Sequence, residues 1–375
     1  MYVKKHREFS ESGFAIRPSR GVLFVDTQGL GDVVQSLPLL KAVCEWAEGK
    51  WPVRVLFATA RHYDLVREEY LSMTPLFVQH LRRDLPGLFR LWLSLVRRSD
   101  LIVCAPEMSA AKLVLLRILT GARYAIGEAS APYNKLMSYA VETSWTRPFS
   151  ETQSEIAQAL GLDSSLSSPS IRITTRESNW AADELERAGV STYRPIVGIQ
   201  CSSAVPSKSW PAENFGICIR ALSKDLPYFS VISFGTVGER LAAETAHRVA
   251  GNVQWLEATG KWSIRETLAM LNRCDIFISG DTGLMHMAAA VGARTISIFG
   301  PTSATRRAPI GVGNSAVCPA TSCHPCFQGR WTSCECIRKI APEEVISAVL
   351  MQIRQTTLVK GHVGVPAHTM GNAIR

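Results

Sequence analysis

Short runs of β-branched and aromatic residues alternate with longer stretches whose apolar residues recur at helical spacing, and this alternation occurs twice along the chain. In the first half, strands are predicted at residues 21–26, 53–58, 100–104 and 123–126, and helices at 33–48 and 88–98. In the second half, strands are predicted at residues 196–200, 229–234, 275–279 and 295–299. Strands and helices that alternate in this way form parallel sheets with helices on both faces. The pattern therefore predicts an α/β protein built from two Rossmann-like halves.

A stretch rich in serine and proline, residues 163–170, separates the two halves and marks the predicted domain boundary. We expect an N-terminal extension at 1–20, a first domain at 21–170 and a second domain at 171–345. A helix at 342–360 is expected to pack back on the first domain, and residues 361–375 are expected to form a flexible tail. Two such sheets enclose a cleft at the carboxyl ends of their strands, where α/β proteins bind ligands.

The composition is typical of a folded globular protein, because 46% of the 375 residues are hydrophobic and 19% are charged. The formal net charge of +9 indicates an anionic partner, such as nucleic acid, anionic lipid or a phosphorylated substrate. No apolar run reaches the 18 residues of a membrane span, and residues 1–14 lack the apolar core of a signal peptide. The ten cysteines are therefore expected to be reduced in the cytosol, as packing residues, metal ligands or nucleophiles.

Two glycine-containing turns follow predicted strands and precede predicted helices. In residues 27–32, Gly29 and Gly31 allow a tight turn, and Asp32 either caps the helix or takes a proton from an acceptor hydroxyl. In residues 234–239, Glu239 either stabilises the first turn of a helix or accepts hydrogen bonds from ribose hydroxyls. Each turn is ambiguous when it is taken alone.

Two further turns carry polar side chains at the same predicted edge. Residues 201–211 place Ser203 and Lys208 before a helix, where a lysine and free backbone N–H groups bind a diphosphate unless the lysine is merely solvated. The polar turn 281–283 follows another strand, with His286 one helical turn later, either as a ligand loop or as a capped helix with a buried histidine. The turn at 300–302 ends the next strand, so a further loop can close on the cleft. Four such turns at successive strand ends favour a single ligand site.

Three motifs, GLGDVVQSLPLLKAV, SKSWPAENF and SGDTGLMHMAAAVGARTISIFGPT, together resemble glycosyltransferase family 9, the heptosyltransferases of lipopolysaccharide core assembly. The resemblance covers residues 20–350 and implies the GT-B fold, in which two Rossmann-like domains face each other across a cleft. It also implies a bacterial, cytoplasmic enzyme that transfers a heptose from ADP-heptose to an acceptor hydroxyl with inversion. No metal cofactor is expected in catalysis, because a lysine and backbone N–H groups replace it.

The resemblance also assigns roles to individual positions. Asp32 matches the catalytic base, and Lys208 matches the diphosphate-binding lysine, with Ser203 in the same loop. Glu239 resembles the ribose ligand, and Trp262 falls where the family places an apolar residue against adenine. The nucleotide-sugar loop is matched by four residues, which are Asp281, Thr282, Gly283 and His286.

The C-terminal part of the chain contains a cysteine cluster, with Cys323 and Cys326 followed by Cys334 and Cys336. Four thiolates at this spacing can form a closed tetrahedral site for structural zinc or iron, whereas a loop of reduced cysteines is the alternative. Cysteine-bound iron occurs in a related group that heptosylates bacterial autotransporter proteins. The acceptor is therefore either a lipopolysaccharide core glycolipid or a protein.

The predicted helix at 88–98 is basic and amphipathic, with Arg90, Arg97 and Arg98 on one face and Trp92 on another. Such a helix either covers the sheet or lies on anionic lipid, where a lipid-linked acceptor would be found. We therefore expect that the protein contacts the inner face of the inner membrane. Two other function classes stay open, a nucleotide-sugar epimerase and a zinc-ribbon nucleic-acid binder. The second leaves the four turns unexplained, so no nucleic-acid partner is expected.

Overall fold

The computed structural model describes residues 18–69, 71–78, 84–129, 132–144, 146–226, 228–320 and 335–360, together with Ile16 and Cys326. Within them, the first half forms a parallel sheet with the strand order β3-β2-β1-β4-β5-β6. Its strands are β1 (Val22–Asp26), β2 (Val53–Phe57), β3 (Thr74–Phe77), β4 (Leu101–Cys104), β5 (Tyr124–Glu128) and β6 (Tyr139–Val141). Its helices are α1 (Leu30–Ala47), α2 (Ala60–Val66), α3 (Leu85–Leu95), α4 (Ala110–Thr120) and α5 (Phe149–Ala159).

The second half repeats this architecture with the strand order β12-β11-β10-β7-β8-β9, again with parallel pairing. Its strands are β7 (Ile196–Gln200), β8 (Ser230–Ser233), β9 (Gln254–Glu257), β10 (Ile276–Gly280), β11 (Arg294–Ile298) and β12 (Asn314–Val317). Its helices are α6 (Thr175–Arg187), α7 (Ala212–Asp225), α8 (Arg240–Ala250), α9 (Ile264–Leu271), α10 (Gly283–Ala290), α11 (Ala304–Arg307) and α12 (Pro342–Lys360). The predicted α/β fold with two Rossmann-like halves is confirmed.

The strands that the sequence pattern missed are β3, β6, β9 and β12, which form the four edges of the two sheets. Their residues are mostly half-buried or exposed, whereas every residue of β1, β7 and β10 is buried. Edge strands contact other elements on fewer sides, so they do not need the continuous apolar run that identifies a central parallel strand.

Two helix predictions need correction. The predicted helix at 88–98 begins earlier and ends at Leu95, and Arg97 adopts the left-handed backbone conformation with φ 54°. Arg97 and Arg98 therefore do not lie on a helical face with Arg90. The helix α12 was expected to pack on the first domain. The described part of α12 instead packs against α7, β11 and β12 of the second domain, where Val345 and Val349 join the apolar core. Arg294 on β11 donates to the Gln352 side chain at 3.0 Å.

The two halves touch directly where α1 packs against α10. A Cβ atom at Gly31 would lie 2.9 Å from the Cα atom of Gly283 and 2.9 Å from Cδ2 of His286, so only glycine fits this close approach. On another side of the junction, the buried Arg265 donates to Glu177 at 2.7 Å and to the Leu65 carbonyl of the first domain at 3.3 Å. These contacts hold the carboxyl ends of the two sheets on either side of one cleft.

Candidate active site

A cavity of about 520 Å³ lies between the two domains and is lined by turns that follow the strands. This volume is within the range of small-molecule sites, roughly 300–1,000 Å³. All the ligand-site residues predicted from the sequence line it: Asp32, Ser203, Lys208, Glu239, Trp262, Asp281, Thr282, Gly283 and His286. The structure thus brings the four predicted turns together.

Asp32 is the acidic group of the first domain in this cavity. Its Oδ2 accepts the backbone N–H of Gly29 at 2.9 Å, so it closes the first turn of α1 as a capping residue. Its Oδ1 accepts a hydrogen bond from Arg307 of the second domain at 3.2 Å. Asp32 therefore both caps its helix and lies in the cleft, and the two roles that the sequence left open are compatible.

Lys208 and Asp281 form an ion pair on the second-domain wall, with 2.7 Å between Nζ and Oδ2. The Asp281 side chain is 3% exposed and that of Lys208 is 13% exposed. Burial works to raise the pKa of Asp281, but Lys208 and Arg307 outweigh it and hold that pKa below its usual value. The wall therefore carries a lysine beside a carboxylate that stays ionised.

Gln200, which no sequence motif identified, connects two of the predicted turns. It accepts a hydrogen bond from the Thr282 hydroxyl at 2.6 Å and donates to Glu239 at 2.8 Å. The other Glu239 oxygen accepts the backbone N–H of Thr236 at 2.7 Å and its hydroxyl at 2.9 Å. Thr282 makes no side-chain cap to α10, so its hydroxyl serves the wall of the cavity. This chain of bonds fixes the Glu239 carboxylate before any ligand binds.

Trp262 supplies an aromatic surface at the same wall. Its ring meets Phe234 with a centroid distance of 5.8 Å and Trp180 with 5.9 Å, both edge-to-face. Ile264 and Thr267 line the cavity beside it. Two edge contacts hold the indole in one orientation, which suits it to stack on a planar base.

His286 lies 5% exposed on α10, between the two domains. Its Nε2 has no hydrogen-bond partner within the described part of the chain. Burial lowers its pKa to about 4, even though Asp281 acts to raise it. The imidazole is therefore neutral at neutral pH, and the reading of a buried histidine is compatible with its place at the cavity.

Four charged residues that the sequence reasoning missed extend this site across the domain junction: Glu107, Glu128, Arg306 and Arg307. The two arginines follow the Gly300-Pro301-Thr302 turn, which did predict a loop closing on the cleft. Arg306 donates to Glu107 at 2.7 Å and to both oxygens of Glu128 at 2.9 Å. Charged pairs between residues far apart in the chain leave no local pattern that could have identified them.

The predicted thiolate site is only partly within the described residues. Cys323 and Cys334 lie outside them, whereas Cys326 is half-buried and Cys336 is buried. The backbone N–H of Cys326 donates to the Pro301 carbonyl at 2.9 Å. Ile337, the residue after Cys336, packs closely against Gly300. A Cβ atom placed on Gly300 would lie only 2.8 Å from the Cβ atom of Ile337. The chain segments that carry the two described cysteines thus both contact the turn that leads into α11.

Comparison with known proteins identifies relatives of one kind. A sequence profile of glycosyltransferase family 9 (heptosyltransferase) matches residues 88–335, more than half of the chain. A lipooligosaccharide heptosyltransferase 2 of Campylobacter jejuni is 31% identical over 101 residues, 25% of this chain and 31% of that protein. Lipopolysaccharide heptosyltransferase 2 of Escherichia coli is 23% identical over 140 residues, 36% of this chain and 38% of that protein. The matched stretch thus spans about a third of each relative's length.

Solved structures show the same fold over nearly the whole chain. A family 9 glycosyl transferase of Veillonella parvula has a TM-score of 0.71 at 19% identity, covering 90% of this chain and 98% of that one. The E. coli ADP-heptose lipopolysaccharide heptosyltransferase II has a TM-score of 0.68 at 17% identity, covering 90% and 99%. The iron-containing dodecameric glycosyltransferase TibC of enterotoxigenic E. coli has a TM-score of 0.56 at 16% identity, covering 90% and 80%. The predicted GT-B architecture is confirmed.

Proposed function

Because this chain belongs to glycosyltransferase family 9, the heptosyltransferase family, we propose that it transfers a heptose from ADP-heptose to a hydroxyl of a lipopolysaccharide-core acceptor. The supporting observation is the cavity itself. The Asp32 carboxylate of the first domain lines this cavity. Across from it, the second domain contributes Lys208, Glu239, Asp281 and Trp262. That arrangement provides a base on the acceptor side and groups for a nucleoside diphosphate on the donor side.

The donor is proposed to bind along the second-domain wall. Trp262 stacks on the adenine, and Glu239, already oriented by Gln200, accepts hydrogen bonds from the ribose hydroxyls. Lys208 and the backbone N–H groups of its loop bind the diphosphate. The polar turn 281–283 then faces the sugar.

In the reaction, Asp32 takes the proton of the acceptor hydroxyl, and the hydroxyl oxygen forms a bond to the anomeric carbon. The bond from that carbon to the diphosphate oxygen breaks at the same time, and ADP leaves with the electron pair. Attack from the face opposite the leaving group inverts the configuration. Lys208 stabilises the negative charge that grows on the departing phosphate, as preorganised cations do in transition states.

The direct test incubates the protein with ADP-heptose and a heptose-free core acceptor and identifies the products by mass spectrometry. The proposal requires a product one heptose heavier than the acceptor, together with an equal amount of ADP. UDP-glucose and GDP-mannose serve as control donors. Conversion of the donor without any acceptor would favour the epimerase alternative.

The acceptor domain has an exposed apolar surface that fits a lipid-linked acceptor. Phe89, Trp92 and Leu93 of α3 are 39–57% exposed, and they lie beside α4, where the Trp92 indole N–H donates to the Leu119 carbonyl at 3.0 Å. The other exposed apolar residues of this surface are Leu115, Ile118, Leu119, Tyr133 and Leu136. Contiguous exposed apolar surface marks a contact with a partner or a membrane.

The charges around this surface favour an anionic membrane. Its exposed basic residues are Arg90, Lys112, Arg123 and Lys135, with Arg97 and Arg98 at the end of α3. The acidic residues of the segment 85–127, Asp100 and Glu107, face other partners, since Asp100 accepts from Ser19 at 2.7 Å and Glu107 from Arg306. Each Lys or Arg near an anionic surface contributes roughly 1 kcal/mol. We therefore propose a peripheral contact with the inner membrane. Among the helices of the described residues, none combines the length and the hydropathy of a membrane span.

Co-sedimentation with phosphatidylglycerol vesicles tests this surface. Leu115→Asp combined with Ile118→Asp is expected to abolish binding, and high salt to weaken it. Leu241→Asp is the matched control, because Leu241 is 75% exposed but lies outside this surface. Binding that survives the double change, or that is equal on neutral vesicles, would contradict the proposed contact.

A structural metal at the cysteine cluster is a further proposal, since the segments that carry Cys326 and Cys336 both contact one turn. Cys323, Cys326, Cys334 and Cys336 would hold zinc or iron in a closed thiolate shell, which stabilises the loop and leaves catalysis to other groups. The iron-containing glycosyltransferase TibC shares this fold. A protein acceptor stays the alternative proposal. Elemental analysis after dialysis should find about one metal per chain, lost in Cys326→Ser but retained in Cys44→Ser.

A further inference from the structure

Two neighbouring arginines of the second domain, Arg306 and Arg307, reach into the first domain from the short helix α11. They follow the turn that ends β11, so they extend from the carboxyl edge of the sheet that forms the donor wall. No motif assigned either of them a role. Their contacts differ, and the difference is informative.

Arg306 is an anchor. It is 2% exposed, and its Nε and Nη2 donate to the carboxylates of Glu107 and Glu128 at 2.7 and 2.9 Å. Its Nη1 donates to the carbonyls of Ser144 at 2.8 Å and Arg147 at 3.3 Å. Every nitrogen of the guanidinium is thus bonded, and every one of these partners belongs to the first domain. A planar fork with five N–H donors can hold such a position more firmly than a lysine can.

The first domain holds the two carboxylates that bind Arg306, those of Glu107 and Glu128, in fixed positions. Glu107 follows β4 and adopts the left-handed conformation with φ 64°, which is uncommon for a residue with a side chain. Its backbone N–H donates to Glu128 at 2.7 Å, and this bond holds the conformation. Because the Glu128 carboxylate accepts the Glu107 N–H and both carboxylates accept from Arg306, α11 is fixed against the first domain.

Arg307 extends from the same helix into the cavity. Its Nη1 donates to Oδ1 of Asp32 at 3.2 Å, and its Nη2 donates to Glu107. Burial works to lower the pKa of Arg307, but Glu107, Asp281 and Asp32 outweigh it and raise that pKa. Asp32 is therefore held on one oxygen by Gly29 of its own turn and on the other by a permanently charged group of the opposite domain.

We propose that Arg307 is a positioning residue, which holds the Asp32 carboxylate in register with the donor from across the domain junction. The proposal rests on the proposed function, because it takes Asp32 as the base. Arg307 belongs to the domain on which the donor is proposed to bind. Its ion pair with Asp32 therefore sets the position of the base relative to the anomeric carbon of the donor. Without this ion pair, Asp32 keeps only its helix-capping bond to Gly29. A misplacement of about 1 Å at a reacting group can cost about 100-fold in rate.

The test compares Arg307→Gln and Arg307→Ala with the wild type, in turnover and in ADP affinity measured by calorimetry. Arg307→Gln is expected to lower kcat about 100-fold while the affinity for ADP stays near the wild-type value. Guanidinium ion added to Arg307→Ala should restore part of the lost turnover, which a general loss of structure would not allow. Arg67→Gln is the matched control, because Arg67 also pairs with carboxylates but is 44% exposed on the surface.

Two results in these assays would overturn the proposal. A loss of ADP affinity as large as the loss in turnover would make Arg307 a ligand of the phosphates. An unchanged kcat would show that Asp32 needs no partner from the second domain.

A second measurement separates this inference from the donor assignment. If the wild type does not turn over ADP-heptose, the proposed function fails, but the contact can still be tested by thermal unfolding of Asp32→Asn, Arg307→Gln and the double variant. Coupled residues give losses that do not add, so the double variant should lose less than the sum of the single variants. Additive losses would mean that Arg307 does not hold Asp32, and the positioning role would be excluded.

Discussion

The two sides of the cavity differ in how their charged groups are held. On the second-domain wall, Lys208 bonds to Asp281, and Gln200 connects Thr282 to Glu239, so all the partners come from one sheet. On the first-domain side, one Asp32 oxygen is held by its own turn and the other by Arg307 of the opposite domain. The second-domain wall, where the donor is proposed to bind, is thus assembled within one domain. Asp32, the proposed base, has both of its bonds only when the two domains are together.

Under the proposed function, this difference separates donor binding from the chemical step of transfer. A donor can bind to a wall that already exists, because preorganised groups need no rearrangement. Under the proposed positioning role, transfer depends on the arrangement in which Arg307 of the second domain contacts Asp32. Variants of the two sides should therefore have different signatures in affinity and in turnover.

The largest expected effect is on the base side. Asp32→Asn can still accept the Gly29 N–H bond but cannot take a proton, so kcat should fall about 100- to 10,000-fold with unchanged ADP affinity. Asp84→Asn is the control. Asp84 caps α3 by accepting the Gly87 N–H at 2.9 Å, and it does not line the cavity. Steady-state kinetics and calorimetry provide the two measurements. A variant that kept most of its kcat would reduce Asp32 to a helix cap.

The next largest effect is expected on the donor wall. Lys208→Met removes the cation that is proposed to bind the diphosphate, so turnover should fall about 100- to 1,000-fold, and ADP should bind more weakly as well. It also leaves the buried Asp281 with less compensation, so the melting temperature should drop. Lys41→Met is matched to it, because Lys41 pairs with Glu69 at 2.7 Å outside the cavity. Equal ADP affinity in Lys208→Met and the wild type would remove the lysine from the phosphate site.

A smaller effect is expected where the two sides touch. Gly31→Ala places a methyl group against Gly283 and His286, and such overpacking costs about 1–3 kcal/mol of stability. The domains should be pushed apart, so kcat should fall further than ADP affinity. Gly238→Ala is the control, because the nearest atom to a Cβ there is 3.9 Å away. Thermal unfolding and kinetics decide, and parallel losses of affinity and turnover would argue against a closure-dependent base.

The smallest expected effect concerns the aromatic wall. Trp262→Ala should weaken ADP binding about 10-fold, since an aromatic stack adds roughly 0.5–1.5 kcal/mol beyond the buried area. The ratio of ADP to UDP affinity should fall with it. Trp255→Ala is the control, because that indole stacks on His247 at 4.6 Å and does not line the cavity. If calorimetry shows the same nucleotide preference in Trp262→Ala as in the wild type, the adenine site lies elsewhere.

Much of the fold and of the donor wall could be predicted from the sequence, because both are encoded locally. Central strands such as β1 and β10 are continuous apolar runs, and the turns after them contain glycines and polar residues. Parallel strands end at a common edge, so Lys208 and Asp281 could be expected together although 73 positions separate them. The same reasoning missed β3 and β12, because half-exposed edge strands show no such run.

The sequence alone was enough to predict the central strands and the turns that follow them, and with those turns the ligand-site residues from Asp32 to His286 that line the cleft. Only the tertiary structure decided which of them meet across the junction. Arg307 lies 275 positions from Asp32, and Arg306 lies 178 positions from Glu128. Their pairing depends on how α11 packs against the first domain and on the close approach of Gly31 to Gly283. Periodicity and turn chemistry act over a few residues, whereas the relative placement of two domains follows from long-range packing and charge pairing, which leave no local pattern in the chain.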